Sequence, residues 1–199
     1  MASELIVQTL KGPTTGANAN KVIIPSGQTL DASAGTVTGV TEGIKYIDNW
    51  RMTNTTTITG TKAVFTAGWV RNTNDHPANL STAMTESSGV FTFPTTGMWE
   101  VIFKTTCYHG SSDSKFVGSY IDYSNDGGSN WGTAAIDYDS LKFISLNTWV
   151  SLYAVHIFDI SDTSQYRVRF AGETANSATY AGNNSDGYTY AWFKRLGDT

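Results

Sequence analysis

Met98-Trp99-Glu100-Val101-Ile102-Phe103-Lys104-Thr105-Thr106-Cys107 repeats with a period of two. In an extended strand successive side chains point to opposite faces. Trp99, Val101, Phe103, Thr105 and Cys107 therefore share one face, and Met98, Glu100, Ile102, Lys104 and Thr106 the other. The first is the core face. Runs of similar β character recur at 44–53, 62–71, 89–93, 98–109, 115–124, 131–138, 141–145, 149–160, 165–171 and 188–196, broken by Gly, Asn and Asp clusters. About ten strands without a convincing helix predict an all-β chain, either a two-sheet sandwich or a barrel.

The last run is apolar on both sides: Tyr188, Tyr190 and Trp192 fall on one face, Ala191 and Phe193 on the other. Such a strand lies inside a sheet covered on both faces or against another subunit. Tyr188, Tyr190, Trp192 and Phe193 are the candidate contacts between copies of the chain.

Composition agrees with strands. Thr, Ser, Asn and Gly supply 80 of the 199 residues and charged residues only 15%, which disfavours helix interiors and favours strands and turns. Aromatics at 13% are enough for a core and exclude an intrinsically disordered chain. The net charge of −4, with scattered basic residues, excludes a nucleic-acid backbone or an anionic leaflet as partner. No run of 18 apolar residues and no basic-then-apolar leader occurs, so the expectation is synthesis in the cytoplasm without membrane insertion. The single Cys107 cannot close a disulfide within the chain.

Residues 1–43 stand apart because they hold no aromatic residue. Within them Lys21 to Leu30 reads as a short strand, a Pro-Ser-Gly turn and the start of a second strand. Val22, Ile23, Ile24 and Pro25 are unlike a Gly/Ser spacer and suit addition to another chain's sheet edge, which makes them candidate anchor residues. The expected organisation is an extended arm over 1–43 and one folded domain over 44–199.

The stretch from Ser88-Gly89-Val90-Phe91-Thr92-Phe93-Pro94 through Gly97-Met98-Trp99 to Phe103 resembles the signature of the complement q-subcomponent and tumour-necrosis-factor-like jelly-roll heads. Gly187-Tyr188-Thr189-Tyr190-Ala191-Trp192-Phe193 resembles their final strand. The resemblance spans about 44–197 and implies a ten-stranded jelly roll that trimerises about a threefold axis and serves as a recognition head. Loop sequences do not match, so no loop-borne ligand site carries over. Ser3 to Pro13 and Gly16 to Leu30 are similar to the opening of fibre and structural proteins of marine tailed phages, in which a short anchor precedes a trimeric tip. This implies a virion location, with residues 1–43 bound to other virion proteins.

Ser124-Asn125-Asp126-Gly127-Gly128-Ser129-Asn130-Trp131 fits the Asp-box pattern, which predicts a tight hairpin with Asp126 accepting backbone N–H bonds and Trp131 packed under the turn. A sialidase needs several such boxes and clustered arginines; this chain has one box and five scattered Arg. Asp122, Ser124 and Asp126 occupy early EF-hand positions, but Thr133 stands at the twelfth, so that loop fails; a surface cation near Asp122, Asp137 and Asp139 is a separate expectation. Cys107 and His109 share a strand face, yet Cys107 continues the core stripe. His76 lies in a polar loop and His156 in a strand, and no triad, phosphate loop or paired-Cys metal motif is legible, so no catalytic residue, cofactor or metal is expected.

Tyr123, Trp131 and Tyr138 beside Asn125, Asp126 and Asn130 form a candidate glycan-binding patch, rings for C–H faces and amides for hydroxyls. The alternative is that Trp131 packs the hairpin and the tyrosines cover the sandwich. The leading expectation is a non-enzymatic homotrimeric tail-fibre or spike tip of a virion that binds a host surface glycan or protein. A capsid-decorating or adaptor protein that meets only other virion proteins is the alternative, with a polysaccharide-degrading tip as the third.

Overall fold

The computed structural model describes residues 13–16, 22–23, 26–29, 44–73, 79–80, 84–109, 113–142 and 148–199. The chain divides into two units, Met1–Val40 and Thr41–Thr199. In the first, Ser26 and Gly27 form a turn, while Val22 and Ile23 are exposed and lie in no strand. The strand expected there is thus not formed at these two residues. Ile24 and Pro25 lie outside the described residues.

Thirteen strands make up the second unit among its described residues, in two antiparallel sheets and with no helix. In chain order they are β1 (Ile47–Met52), β2 (Thr56–Thr59), β3 (Ala63–Val64), β4 (Trp69–Arg71), β5 (Thr85–Ser87), β6 (Val90–Thr92), β7 (Gly97–His109), β8 (Ser114–Ser124), β9 (Gly132–Leu141), β10 (Thr148–Ile160), β11 (Arg167–Thr174), β12 (Ser177–Tyr180) and β13 (Tyr190–Gly197). The seven-stranded sheet runs β2-β12-β7-β13-β1-β4, with β10 on the other side of β7. The six-stranded sheet runs β5-β6-β11-β8-β9, with β3 also paired to β11.

The alternation read in 98–107 holds: Trp99, Val101, Phe103, Thr105 and Cys107 are fully buried between the sheets. Phe91, Val117, Ile121, Val168 and Phe170 meet them from the second sheet. Phe103 stacks on Phe170 with ring centroids 4.6 Å apart and 27° between planes. Polar groups that cross the gap are paired. Thr105 and Ser119 hydroxyls lie 2.5 Å apart, and the buried Tyr180 hydroxyl sits 2.7 Å from the Gly118 carbonyl oxygen and 2.8 Å from that of Glu173.

Three strands, β2, β5 and β12, are additions to the ten expected; each is only three or four residues long. The run 62–71 is two strands because the chain changes sheets inside it. β3 pairs with β11 and β4 with β1; between them the Trp69 indole N–H donates to the Phe65 carbonyl at 2.9 Å, closing the corner. The run 141–145 begins with Leu141, the last residue of β9, and its residues 143–145 lie outside the described residues.

Phe103→Ala removes the ring stacked on Phe170 at the centre of this cluster. The expected loss is about 3–5 kcal/mol, measured as a shift in the urea or thermal unfolding midpoint; a loss below about 1 kcal/mol contradicts the role given to this ring.

Candidate functional site

The β8–β9 hairpin is built as its sequence requires. The Asp126 carboxylate accepts the Asn130 backbone N–H at 2.9 Å, the Asn130 side-chain amide at 2.7 Å and the Ser124 hydroxyl at 2.7 Å. The Ser124 oxygen in turn accepts the Gly128 N–H at 2.8 Å. Gly127 and Gly128 both sit at positive φ, where a side chain would be strained. The Trp131 indole N–H closes the turn on the Gly128 carbonyl at 2.9 Å. These bonds to the ionised form, led by the Asn130 backbone N–H, hold the Asp126 carboxyl well below its ordinary value, at about 2.

The six residues expected to form one patch separate onto three surfaces. Asn125, Asp126 and Asn130 stay together at the turn. Tyr123 pairs with Val168 and points to the core side, against Phe158 at 6.2 Å between ring centroids. Its neighbour Asp122 pairs with Arg169 and therefore points the other way. There the Arg169 guanidinium lies over the Trp131 ring at 4.1 Å, so one face of that ring is covered by the protein itself. Tyr138 pairs with Gly118, six positions along β9 from the Gly132 that pairs with Tyr123, and shares its surroundings with Phe116, Tyr120 and Glu173.

Tyr123 instead opens onto a cleft of about 420 Å³ beside the hairpin, between β8 and β9 on one side and β10 on the other. Thr133, Ala134, His156, Ile157, Phe158, Asp159 and Tyr166 complete its lining. The Tyr123 and Tyr166 hydroxyls, the His156 ring and the Asp159 carboxylate make no hydrogen bond to any described residue. No signal in the sequence joins Tyr123 to residues 156–166; the sandwich brings them together.

A second feature covers the outer face of the seven-stranded sheet. Trp149, Tyr153, Val155, Ile157, Tyr188 and Trp192 are each between 39% and 53% exposed. Register lines them up: Val155 pairs with Ile102 and Ile102 with Trp192, while Tyr153 and Tyr190 flank Lys104. Tyr188 stacks on Trp149 at 6.1 Å and 27°. Two charges in the middle of this face are already met, Glu100 by Lys194 at 2.5 Å and the Lys104 ammonium by the Tyr188 carbonyl at 2.8 Å. Burial holds the Lys104 amine below its ordinary value. Phe193, expected to join this face, is buried in the core instead, because it alternates with Trp192 along β13.

Other sequence candidates take structural roles. Cys107 is buried, and desolvation pushes its thiol up to about 12, which leaves no thiolate for chemistry with His109. The Asp122 carboxylate is occupied by Lys62 at 2.5 Å and Arg169 at 3.4 Å, and Asp137 accepts the Tyr153 backbone N–H at 2.7 Å, so neither is left to gather a cation with Asp139. Among the described residues no group of three or more His, Cys, Asp or Glu side chains is placed to hold a metal. His76 lies outside the described residues.

No family model and no curated protein matches the chain. Solved structures do. The chain is similar to murine APRIL at pH 5.0, with a TM-score of 0.53 and 12% identity over 76% of this chain and 98% of that one. It is similar to Eiger TNF from S. frugiperda, with a TM-score of 0.56 and 12% identity over 79% and 96%. At this identity the likeness shows the fold, a tumour-necrosis-factor-like jelly roll.

Because the folded value of Asp126 lies below the roughly 3.9 of an unfolded aspartate, the support it lends the hairpin is complete above about pH 4 and is lost as pH falls through about 2. The Trp131 indole N–H resonance should hold its position from neutrality to about pH 4 and move below it. Asp126→Asn should displace that resonance already at neutral pH and abolish the acid transition; a wild-type profile in this variant removes the carboxylate from the account.

Proposed function

We propose that the chain is a non-enzymatic, self-assembling recognition head, the homotrimeric tip of a virion fibre or spike, with residues 1–43 as its attachment to the particle. The observation that carries it is the outer aromatic face of the seven-stranded sheet. Monomers rarely expose so continuous an apolar surface, and interface centres are depleted in charge and enriched in Tyr and Trp. Here the two charges in the middle of the face, Glu100 and Lys104, are paired with Lys194 and with a backbone carbonyl, so covering them with a second copy strands neither. The threefold arrangement follows the jelly-roll resemblance read in 88–103 and 187–193.

Contact with a host surface is assigned to the hairpin end, where the cleft beside Tyr123 is lined by Phe158 and by Tyr166, His156 and Asp159, whose side-chain polar groups have no hydrogen bond among the described residues. That is the equipment of a glycan reader. A hydrolase acting on the same glycan uses two carboxylates across the scissile bond, and the cleft lining supplies one, Asp159.

Native mass spectrometry at micromolar concentration should give three times the 21.6 kDa chain mass, and Trp192→Glu combined with Val155→Glu should give monomer with an unchanged fold. A wild-type monomer overturns the assembly. Tyr123→Phe, which removes only the hydroxyl and leaves the ring on Phe158, should weaken adsorption to host cells with the melting temperature unchanged; full adsorption returns this end of the molecule to a structural role.

A further inference from the structure

The outer face of the six-stranded sheet carries a second concavity, of about 280 Å³, lined by Phe116, Tyr138 and Glu173. Tyr138 on β9 and Glu173 on β11 both pair with Gly118 of β8, so the three form one row across the sheet. Gly118 has no side chain to fill the row; a Cβ there would come within 2.6 Å of the Tyr138 ring. The ring thus leans over the strand toward Glu173. Phe116 stands perpendicular to it at 5.5 Å and 86°, and Tyr120 at 5.8 Å and 88°.

Glu173 has no ion-pair partner among the described residues. Asp122 is held by Lys62 and Arg169, Asp48 by Arg71, and Glu100 by Lys194. Glu173 meets only phenols: Tyr120 donates to its Oε2, Tyr138 lies 3.4 Å from the same oxygen, and Oε1 has no hydrogen bond among the described residues. Lys62 reaches over the Tyr120 ring at 4.3 Å, but its ammonium is bonded to Asp122 and Thr133. Burial, and then the bond to Glu173, push the Tyr120 phenol above its ordinary range.

We infer that this corner of Phe116, Tyr138 and Glu173 is a binding site for a quaternary ammonium group. Perpendicular ring faces beside a carboxylate attract a cation through the ring quadrupole and by direct charge. A primary ammonium brings three N–H donors and a guanidinium five, each needing an acceptor, and the corner offers little beyond Oε1. A tetraalkylammonium has no donor to satisfy. The site faces away from the proposed assembly surface, on the opposite sheet, so it stands or falls independently of the trimer.

The test is titration of the full chain with tetramethylammonium and with choline at constant ionic strength, followed by aromatic proton resonances, with 3,3-dimethyl-1-butanol as the neutral isostere of choline. Saturation at millimolar concentration is expected, about fivefold or more tighter for choline than for the isostere, and about fivefold weaker in Glu173→Gln and in the half-exposed Tyr138→Ala. Tyr138→Phe, which keeps the ring, should bind as wild type. Equal affinity for the isostere, an unaltered Glu173→Gln of unchanged melting temperature, or no saturation below about 50 mM overturns the site. Co-sedimentation with phosphatidylcholine but not phosphatidylglycerol vesicles identifies a lipid headgroup as the source; choline binding without it identifies a soluble one.

Discussion

Phe103 and Phe170 lie face to face across the gap between the sheets, and no covalent link supplements them, since Cys107 is the chain's single cysteine. Each belongs to a strand deep in its sheet: β7 is flanked by β10 on one side and by β13 and β12 on the other, and β11 by β8 and by β6 and β3. Trp69, Phe65, Phe91 and Phe193 extend the contact in tilted and edge-on pairs. Adhesion between the two layers is therefore aromatic contact area, with polar links such as Thr105 to Ser119 at its margin.

The same period of two that drives these rings inward places the remaining chemistry outward. On β7 the residues alternating with Val101 and Phe103 are Ile102 and Lys104, the middle of the exposed aromatic face. On β11 those alternating with Val168 and Phe170 are Arg169, which covers Trp131, and beyond it Glu173 in the aromatic corner. Slipping either strand by one residue would bury Lys104 or Arg169 among phenylalanines at a cost of several kcal/mol. Core and surface chemistry are fixed by a single register.

What could be read beforehand follows from how local each signal is. The inward stripe of 98–107 and the Asp-box turn depend on neighbours within about ten residues, and both stand in the structure as read. The two-sidedness of 188–196 was legible too, but not which side is which: Phe193 belongs to the core and Trp192 to the surface, a choice made by pairing with β7. The expected patch of Tyr123, Trp131 and Tyr138 is not formed, because closeness in sequence is not closeness in space. Strand residues alternate between faces, so Tyr123 turns to the core side while Trp131 and Tyr138 lie apart on the outer face, beside Arg169 and Glu173 respectively. The cleft beside Tyr123 and the corner at Glu173 were invisible because each joins strands distant in sequence, β8 with β10 and β9 with β11.

The sheet edges at β9 and β10 constrain how copies can meet. β9 pairs only with β8 and β10 only with β7, so each ends its sheet with unpaired backbone groups. An open edge invites strand addition and unlimited growth. Here the edges lie against each other, and the Asp137 carboxylate of β9 accepts the Tyr153 backbone N–H of β10 at 2.7 Å. A partner strand would have to displace that carboxylate and pass the side chains around it. On the proposed reading the outer face of the seven-stranded sheet, and neither of these two edges, is the surface for assembly. A face packed against a neighbour around a rotation axis closes after a fixed number of copies.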